Sequence, residues 1–314
     1  MKSMVGVDLP EKRPAARPPK TGPGPGTLSS RRWRAPNVVS MQRGARRALR
    51  GQMGGVRTAA EFLPEVERWL HVLYVAAEGA GLRREDRRKA MQVAAMLVEI
   101  ERALARVSRR DPVVLVDAAA GKSYVGLLAA KLVLEPAGRG ASVVTLEREA
   151  SRVAASCEAA SRLRVAVPVE CRLADVASPG AWPGAPALVV ALHACGPAAD
   201  HVIEGAAASR ARHVLLVPCC TGRGVAAAAR AEAGAGDRGV PRHAAVRRRY
   251  VQAMVDAERT WRLEAAGYQT EVVELVGAKV TPHNLLWRGR LVGEPGRASR
   301  AARVLARLAA AGPA

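Results

Sequence analysis

Three acids stand at or just beyond the ends of short apolar runs. Asp117 follows Val113 to Val116, Glu147 follows Ser142 to Leu146, and Asp175 comes a few residues after Val167 to Cys171. The first of them opens Asp117-Ala118-Ala119-Ala120-Gly121-Lys122-Ser123-Tyr124, with small residues at every second place. An acid at the carboxyl end of a parallel strand, followed by small residues, is how a doubly wound sheet meets a nucleoside ligand: the backbone can come close, and a second acid takes the ribose hydroxyls. Asp117, Ala119, Gly121 and Ser123 are therefore candidate ligand-loop residues, and Glu147 the candidate ribose acid. Each has an ordinary use as well. A loop with one glycine also turns a strand into a helix, Glu149 complements a helix dipole, and Asp175 suits a surface turn. Gly121-Lys122-Ser123 also ends like a phosphate-binding loop, but Val116 stands where the first glycine of that motif belongs. The fourth apolar run, Val189-Val190-Ala191-Leu192-His193, supplies no Asp for magnesium, which puts nucleotide hydrolysis second.

Two further clusters follow, Ala191-Leu192-His193-Ala194-Cys195-Gly196-Pro197-Ala198-Ala199-Asp200 and Val217-Pro218-Cys219-Cys220, and Val280-Thr281-Pro282-His283-Asn284-Leu285-Leu286 lies near the end. The acid with small residues at alternate places resembles the methyltransferase cofactor loop, with Ala119, Gly121 and Ser123 in the three glycine positions. The later clusters resemble a group of methyltransferases with Leu-His-x-Cys-Gly-x-Ala-x-Asp, Cys-Cys-His and Thr-Pro-x-Asn-Leu motifs, among them many bacterial proteins and, more distantly, eukaryotic tRNA 2′-O-methyltransferases. The resemblance spans roughly residues 111–291 and implies S-adenosylmethionine as cofactor, no metal, and Asp175 at the adenine amino group. It places Leu192 with the cofactor contacts and His193 and Cys195 with the chemistry. Asn284 is expected at the acceptor. Ala119 and Ser123 replace two glycines, and Thr221 stands where relatives have His or Gln, departures that bear on activity more than on fold. A histidine at a sharp turn also serves simply to hold it, and adjacent Cys219 and Cys220 point to opposite sides of an extended strand, which disfavours a shared metal.

Seven apolar runs between 113 and 291, separated by helical or turn segments, predict an α/β Rossmann-like sheet of seven strands. The remaining runs are Ala187 to Leu192, His213 to Val217, Glu271 to Leu275 and Leu285 to Leu291; no long helix separates the last two, which predicts an antiparallel edge. Ahead of the sheet, Phe62, Val66, Trp69, Leu70 and Leu73, then Ala90, Val93, Met96, Leu97, Ile100 and Leu104, recur at helical spacing and predict a helical hairpin over 58–110. Residues 1–57 hold thirteen Lys or Arg against Asp8 and Glu11, a net +11 of the chain's +21, in a Pro- and Gly-rich segment that reads as a disordered basic arm. The methyltransferase domain is set at 111–292 and a basic C-terminal tail at 293–314.

Placement of charge points to a polyanion. Arg242, His243, Arg247, Arg248 and Arg249 gather at a helix start, where the dipole disfavours cations, so Arg247, Arg248 and Arg249 are candidate contacts for substrate phosphates. Nucleic acid, RNA first, is the expected acceptor; a protein or small-molecule acceptor, or a non-catalytic RNA-associated factor that binds the methyl donor, are the rivals. No apolar stretch approaches membrane-spanning length, and five cysteines without CxxC spacing suit a reducing cytoplasm.

Overall fold

The computed structural model describes residues 55–75, 81–219, 221 and 224–310. Of the expected basic arm only 55–57 fall within this range, and Arg57 is not a solvated arm residue: its backbone N–H and guanidinium both bond Glu101, and the guanidinium also donates to Leu132 O. Cys220 lies outside the described residues.

The hairpin forms as expected. Helix α1 (Ala59–Tyr74) begins with a Thr58–Glu61 capping box and buries Phe62, Val66, Leu70 and Leu73; α2 (Arg84–Leu104) buries Val93, Met96, Leu97 and Ile100 against it. Trp69 packs at the edge of this core with Arg68 stacked over its ring.

Beyond the hairpin, seven strands form one sheet: β1 (Val113–Ala118), β2 (Ala141–Glu147), β3 (Val169–Leu173), β4 (Leu188–Ala194), β5 (His213–Pro218), β6 (Tyr268–Glu274) and β7 (Leu285–Leu291). Their spatial order is β3-β2-β1-β4-β5-β7-β6; β1 to β5 run parallel, while β7 is antiparallel to both β5 and β6. This is the Rossmann-like methyltransferase arrangement expected from the sequence. The order reverses between β1 and β4, which opens the crevice at the carboxyl ends of the strands where doubly wound sheets hold ligands.

Alternate strand residues feed two cores. Leu115, Val143, Leu188, Val190, Leu215 and Val217 meet α1, α2, α3 (Tyr124–Ala129, continued by a π-helical stretch, Ala130–Leu134) and α4 (Ala150–Leu163) on one face. Val116, Val144, Val189, Ala191, Val214 and Leu216 meet α5 (Pro197–Ala208) and α7 (Ala244–Ala265) on the other; α6 (Ala226–Ala233) packs against α7.

Strand ends differ from expectation where backbone chemistry overrides apolar pattern. The third strand starts at Val169, since Pro168 has no N–H to give and only its carbonyl accepts, from Val143 N–H. The sixth begins at Tyr268, whose hydroxyl bonds the carbonyls of Ala206 and Ala211 and so fixes a polar start that apolar counting passes over. Most of the expected tail is instead α8 (Pro295–Ala310), packed along α7 with Ala301 buried. No helix among the described residues is long and apolar enough to cross a membrane.

Candidate cofactor cleft and active edge

The loop after β1 takes left-handed backbone at alternate residues: Ala119 (φ 53°), Gly121 (φ 59°) and Ser123 (φ 56°). These are the three places where the sequence pattern asks for glycine, and two are filled by residues that spend about 1–2 kcal/mol each to stay there. The conformation is held from both sides. Ala120 N–H donates to Leu146 O, Gly121 N–H to Glu147 Oε2 at 2.8 Å, and the buried Ser123 hydroxyl to Ser156 Oγ at 3.0 Å. A Cβ built on Gly121 meets nothing within 4 Å, so the loop faces open space at that point.

Glu147 is 6% exposed, and its other oxygen accepts the Glu149 N–H at 3.0 Å. One amide on each oxygen leaves further lone pairs for ligand hydroxyls. Asp117 sits behind the loop rather than in it. It is 2% exposed, and its Oδ2 accepts the Gly126 N–H at 2.8 Å, tying β1 to the first turns of α3. Burial pushes its carboxyl up to about 7, the Gly126 bond opposes that, and the nearby Glu147 charge adds to it. Asp117 therefore shapes the loop and does not present a free carboxylate, a correction to its place among ligand contacts. Asp175 is half-exposed, accepts from Ala177 N–H at 2.9 Å and lies 4.0 Å from Arg148. The lone pairs of Glu147, the open backbone at Gly121 and the accessible Asp175 together fit an adenosyl cofactor.

At the tip of β4 the register with β5 slips between Leu192 and Ala194, and His193 fills the slip with φ 65°. Leu192 is half-buried against the core on the α1–α3 side. Burial, then the charges of Lys89 and His283, hold the His193 imidazole below its usual pKa, so at neutral pH it is an unprotonated base. Lys89 of α2 lies 4.5 Å over the Tyr124 ring, which meets Tyr74 of α1 edge-on, and the Tyr74 hydroxyl donates to Lys122 O. The hairpin thus lines the mouth of the cleft.

Cys195 and Cys219 are joined as a disulfide with Cα atoms 5.5 Å apart, linking the loop after β4 to the end of β5. A sulfur so engaged cannot act as nucleophile or proton carrier, which removes Cys195 from the catalytic set. Asn284 is also reassigned: it is 7% exposed, its side-chain amide N–H donates to Val276 O at 2.8 Å and its backbone carbonyl accepts from Leu275 N–H, so it closes the β6–β7 turn.

Helix geometry divides the three arginines. Gln252, Asp256 and Arg259 share the face of α7 turned to the site: Thr221 donates to Gln252 Oε1 at 3.1 Å, Gln252 donates to Asp256 Oδ1 at 2.9 Å, and Arg259 reaches Asp200 and Gly196 O. At roughly 100° per residue, Arg248 and Arg249 extend that face by one turn, and both are exposed. Arg247 points to the far side and pairs with Glu232 of α6, so it leaves the substrate set.

Residues missed by sequence reading complete the edge. Arg259, 1% exposed, clamps the loop that follows His193, and Asp256, whose carboxyl burial raises, feels the opposing charges of Arg259 and His283. A cavity of about 460 Å³ lies apart, between residues 176–184 and α5, and none of residues 117–123 lines it.

Residues 88–223 match the family model described as a methyltransferase domain, from within α2 to just past β5. No curated protein sequence matches the chain. Among solved structures, magnesium protoporphyrin IX methyltransferase from Synechocystis PCC 6803 with bound SAH is 13% identical, with 72% of this chain and 94% of that one covered and a TM-score of 0.43. The SAH-bound Podospora anserina methyltransferase is 14% identical, with 81% and 96% covered and a TM-score of 0.43. Residues 88–223, the part of the chain that carries this strand-end loop and strands β1 to β5, are thus similar to a methyltransferase domain.

Proposed function

We propose that the protein is an S-adenosylmethionine-dependent methyltransferase and that its methyl acceptor is RNA. The observation that carries this reading is the pair Arg248 and Arg249, exposed on the site-facing side of α7 one turn beyond Gln252, with no acid in the first turn of that helix. Arg248 and Arg249 stand in the second turn of this 22-residue helix, where no acid of the first turn offsets their charge and an anion would. A phosphate backbone supplies that anion without any base being read.

The cofactor, when bound, supplies an electrophilic methyl group on a sulfonium. Glu147 would hold its ribose, the region of Asp175 its adenine, and the backbone of 119–123 its amino-acid end. The chain's own contribution is placement and proton management. Neutral His193 at the tip of β4 takes the proton from the attacking oxygen or nitrogen as that atom loses it. Its left-handed backbone is held by the β4–β5 register slip, and the Arg259–Asp200 pair and the Cys195–Cys219 link fix the loop beyond. Tyr74, Lys89 and Tyr124 narrow the approach and limit water, so alignment provides much of the rate.

The test is incorporation of label from methyl-labelled donor into separate pools of total RNA, DNA, protein and small molecules. Label in RNA supports the reading. Label in protein or small molecules alone overturns it, and label in none identifies a donor-binding factor without turnover.

A further inference from the structure

Helix α8 carries four arginines over Pro295–Ala310 and no acid. Arg297 points inward to Glu264 of α7 and to Glu294. Arg300, Arg303 and Arg307 are exposed, and among the described residues none of the three makes an ion pair or hydrogen bond. At about 100° and 1.5 Å per residue they fall within roughly 60° of one another and form a row about 10 Å long. The opposite side, with Ala301 buried and Val304, Leu305 and Leu308 half-buried, is the side laid on α7.

An ordinary solvated helix mixes signs, as α1 does with Glu61, Glu65, Glu67 and Arg68. The outer face of α8 carries one sign only. Its direction also matters. Arg297 meets Glu264 near the end of α7, whereas Leu308 lines a small cavity with Tyr250 and Met254 near its start, so the helices are antiparallel. Arg307, next to Leu308, therefore stands towards the end of α7 that carries Arg248 and Arg249.

We propose that Arg300, Arg303 and Arg307 form a phosphate track continuing from Arg248 and Arg249, which holds RNA flanking the nucleotide at the active edge. This rests on the RNA reading above. Charge complementarity selects a polyanion, and the shape of the surface selects a strand over a membrane: the apolar side of α8, which a lipid surface would require, is already packed on α7.

The experiment uses the full chain and three forms: wild type, the triple variant Arg300→Gln, Arg303→Gln and Arg307→Gln, and the double variant Arg248→Gln and Arg249→Gln. Binding of a mixed-sequence single-stranded RNA is followed by fluorescence anisotropy from low to physiological salt, with melting temperature and donor affinity measured alongside. Three lost phosphate contacts should flatten the slope of log affinity against log salt by about 2, at roughly 0.7 per contact on a single strand, with donor affinity unchanged. A triple variant that binds RNA like wild type, while the double variant is weakened, overturns the track and leaves the RNA reading standing. If wild type itself shows no salt-dependent RNA binding, both fall. Loss of binding to phosphatidylserine–phosphatidylcholine vesicles with RNA binding intact would assign the face to a membrane and overturn the proposal.

Discussion

Glu147→Gln separates the acid that ends β2 from Glu149 just beyond it. Glu147 is 6% exposed and receives Gly121 N–H on one oxygen and Glu149 N–H on the other, at 2.8 and 3.0 Å. A glutamine of the same shape keeps one acceptor and must turn its NH2 towards the other amide. The Gly121 amide belongs to the inner loop, whereas the Glu149 amide starts a helix at the exposed N-cap and can turn to water. The side chain should therefore keep Gly121 and give up Glu149, which puts the folding cost near the lower end of the range for a hydrogen bond to a charged group, about 1.5 kcal/mol. Donor affinity should suffer more, because a charged acceptor for the ribose hydroxyls is lost: about 1.5–3 kcal/mol, or roughly a 10- to 150-fold rise in Kd. Isothermal titration with S-adenosylhomocysteine measures it, and Glu149→Gln is the control, since that side chain is exposed and, among the described residues, bonds Ser151 and Arg152 alone. A Kd for Glu147→Gln within twofold of wild type, with Glu149→Gln the weaker binder, would refute the assignment of the ribose acid.

The remaining predictions concern titration, turnover and the loop tether. Asp117 has a folded pKa near 7 against 3.8 unfolded, so the native state binds the extra proton; its contribution falls as pH rises from about 4 to about 7, by at most roughly 4 kcal/mol, and is flat above. Urea unfolding of Asp117→Asn across that range should show the wild-type minus variant difference falling with pH, and a constant difference would contradict it. His193→Ala should lower kcat by about 10²–10⁴ with donor Kd nearly unchanged, provided its melting curve shows a folded protein; an equal loss in both would make the ring a turn-holder only. Lys89→Met removes a charge that depresses the His193 pKa, so the acid limb of kcat/KM should move to higher pH, and an unmoved limb would exclude His193 as the base. Reducing the Cys195–Cys219 link, which closes a separation of 24 residues, should cost roughly 3–4 kcal/mol by loop entropy and expose about two more thiols to titration. No change in either on adding reductant would contradict the link.

The sheet was legible because its core strands alternate between two buried faces: Leu188, Val189, Val190 and Ala191 go in turn to one core and the other, and such runs have few other homes. The cofactor loop was legible too, since a strand-end acid with small residues at alternate places anticipates left-handed backbone at 119, 121 and 123. What that pattern does not carry is the direction of a side chain. Asp117 turns back to the Gly126 amide and Asn284 to Val276 O, choices settled by local amides that compete for the same groups. Long-range partners were invisible for a different reason. Arg259 finds Asp200 across 59 residues, and Cys195 finds Cys219 only once β4 and β5 lie side by side. Helix α8 was hidden by its composition, because a basic, Ala-rich segment resembles a tail until α7 offers it a face.

On the proposed function, the crevice between β1 and β4 holds an adenosyl methyl donor, not a nucleoside triphosphate. The measurement that meets it most directly is calorimetric titration of the full-length protein with S-adenosylmethionine in the presence of EDTA, and separately with ATP and magnesium. Saturable binding of the methyl donor is expected without any divalent cation, weakened by Glu147→Gln, with no binding of magnesium–ATP. Binding of magnesium–ATP with none of the methyl donor would contradict it and return Gly121-Lys122-Ser123 to the reading of a phosphate loop.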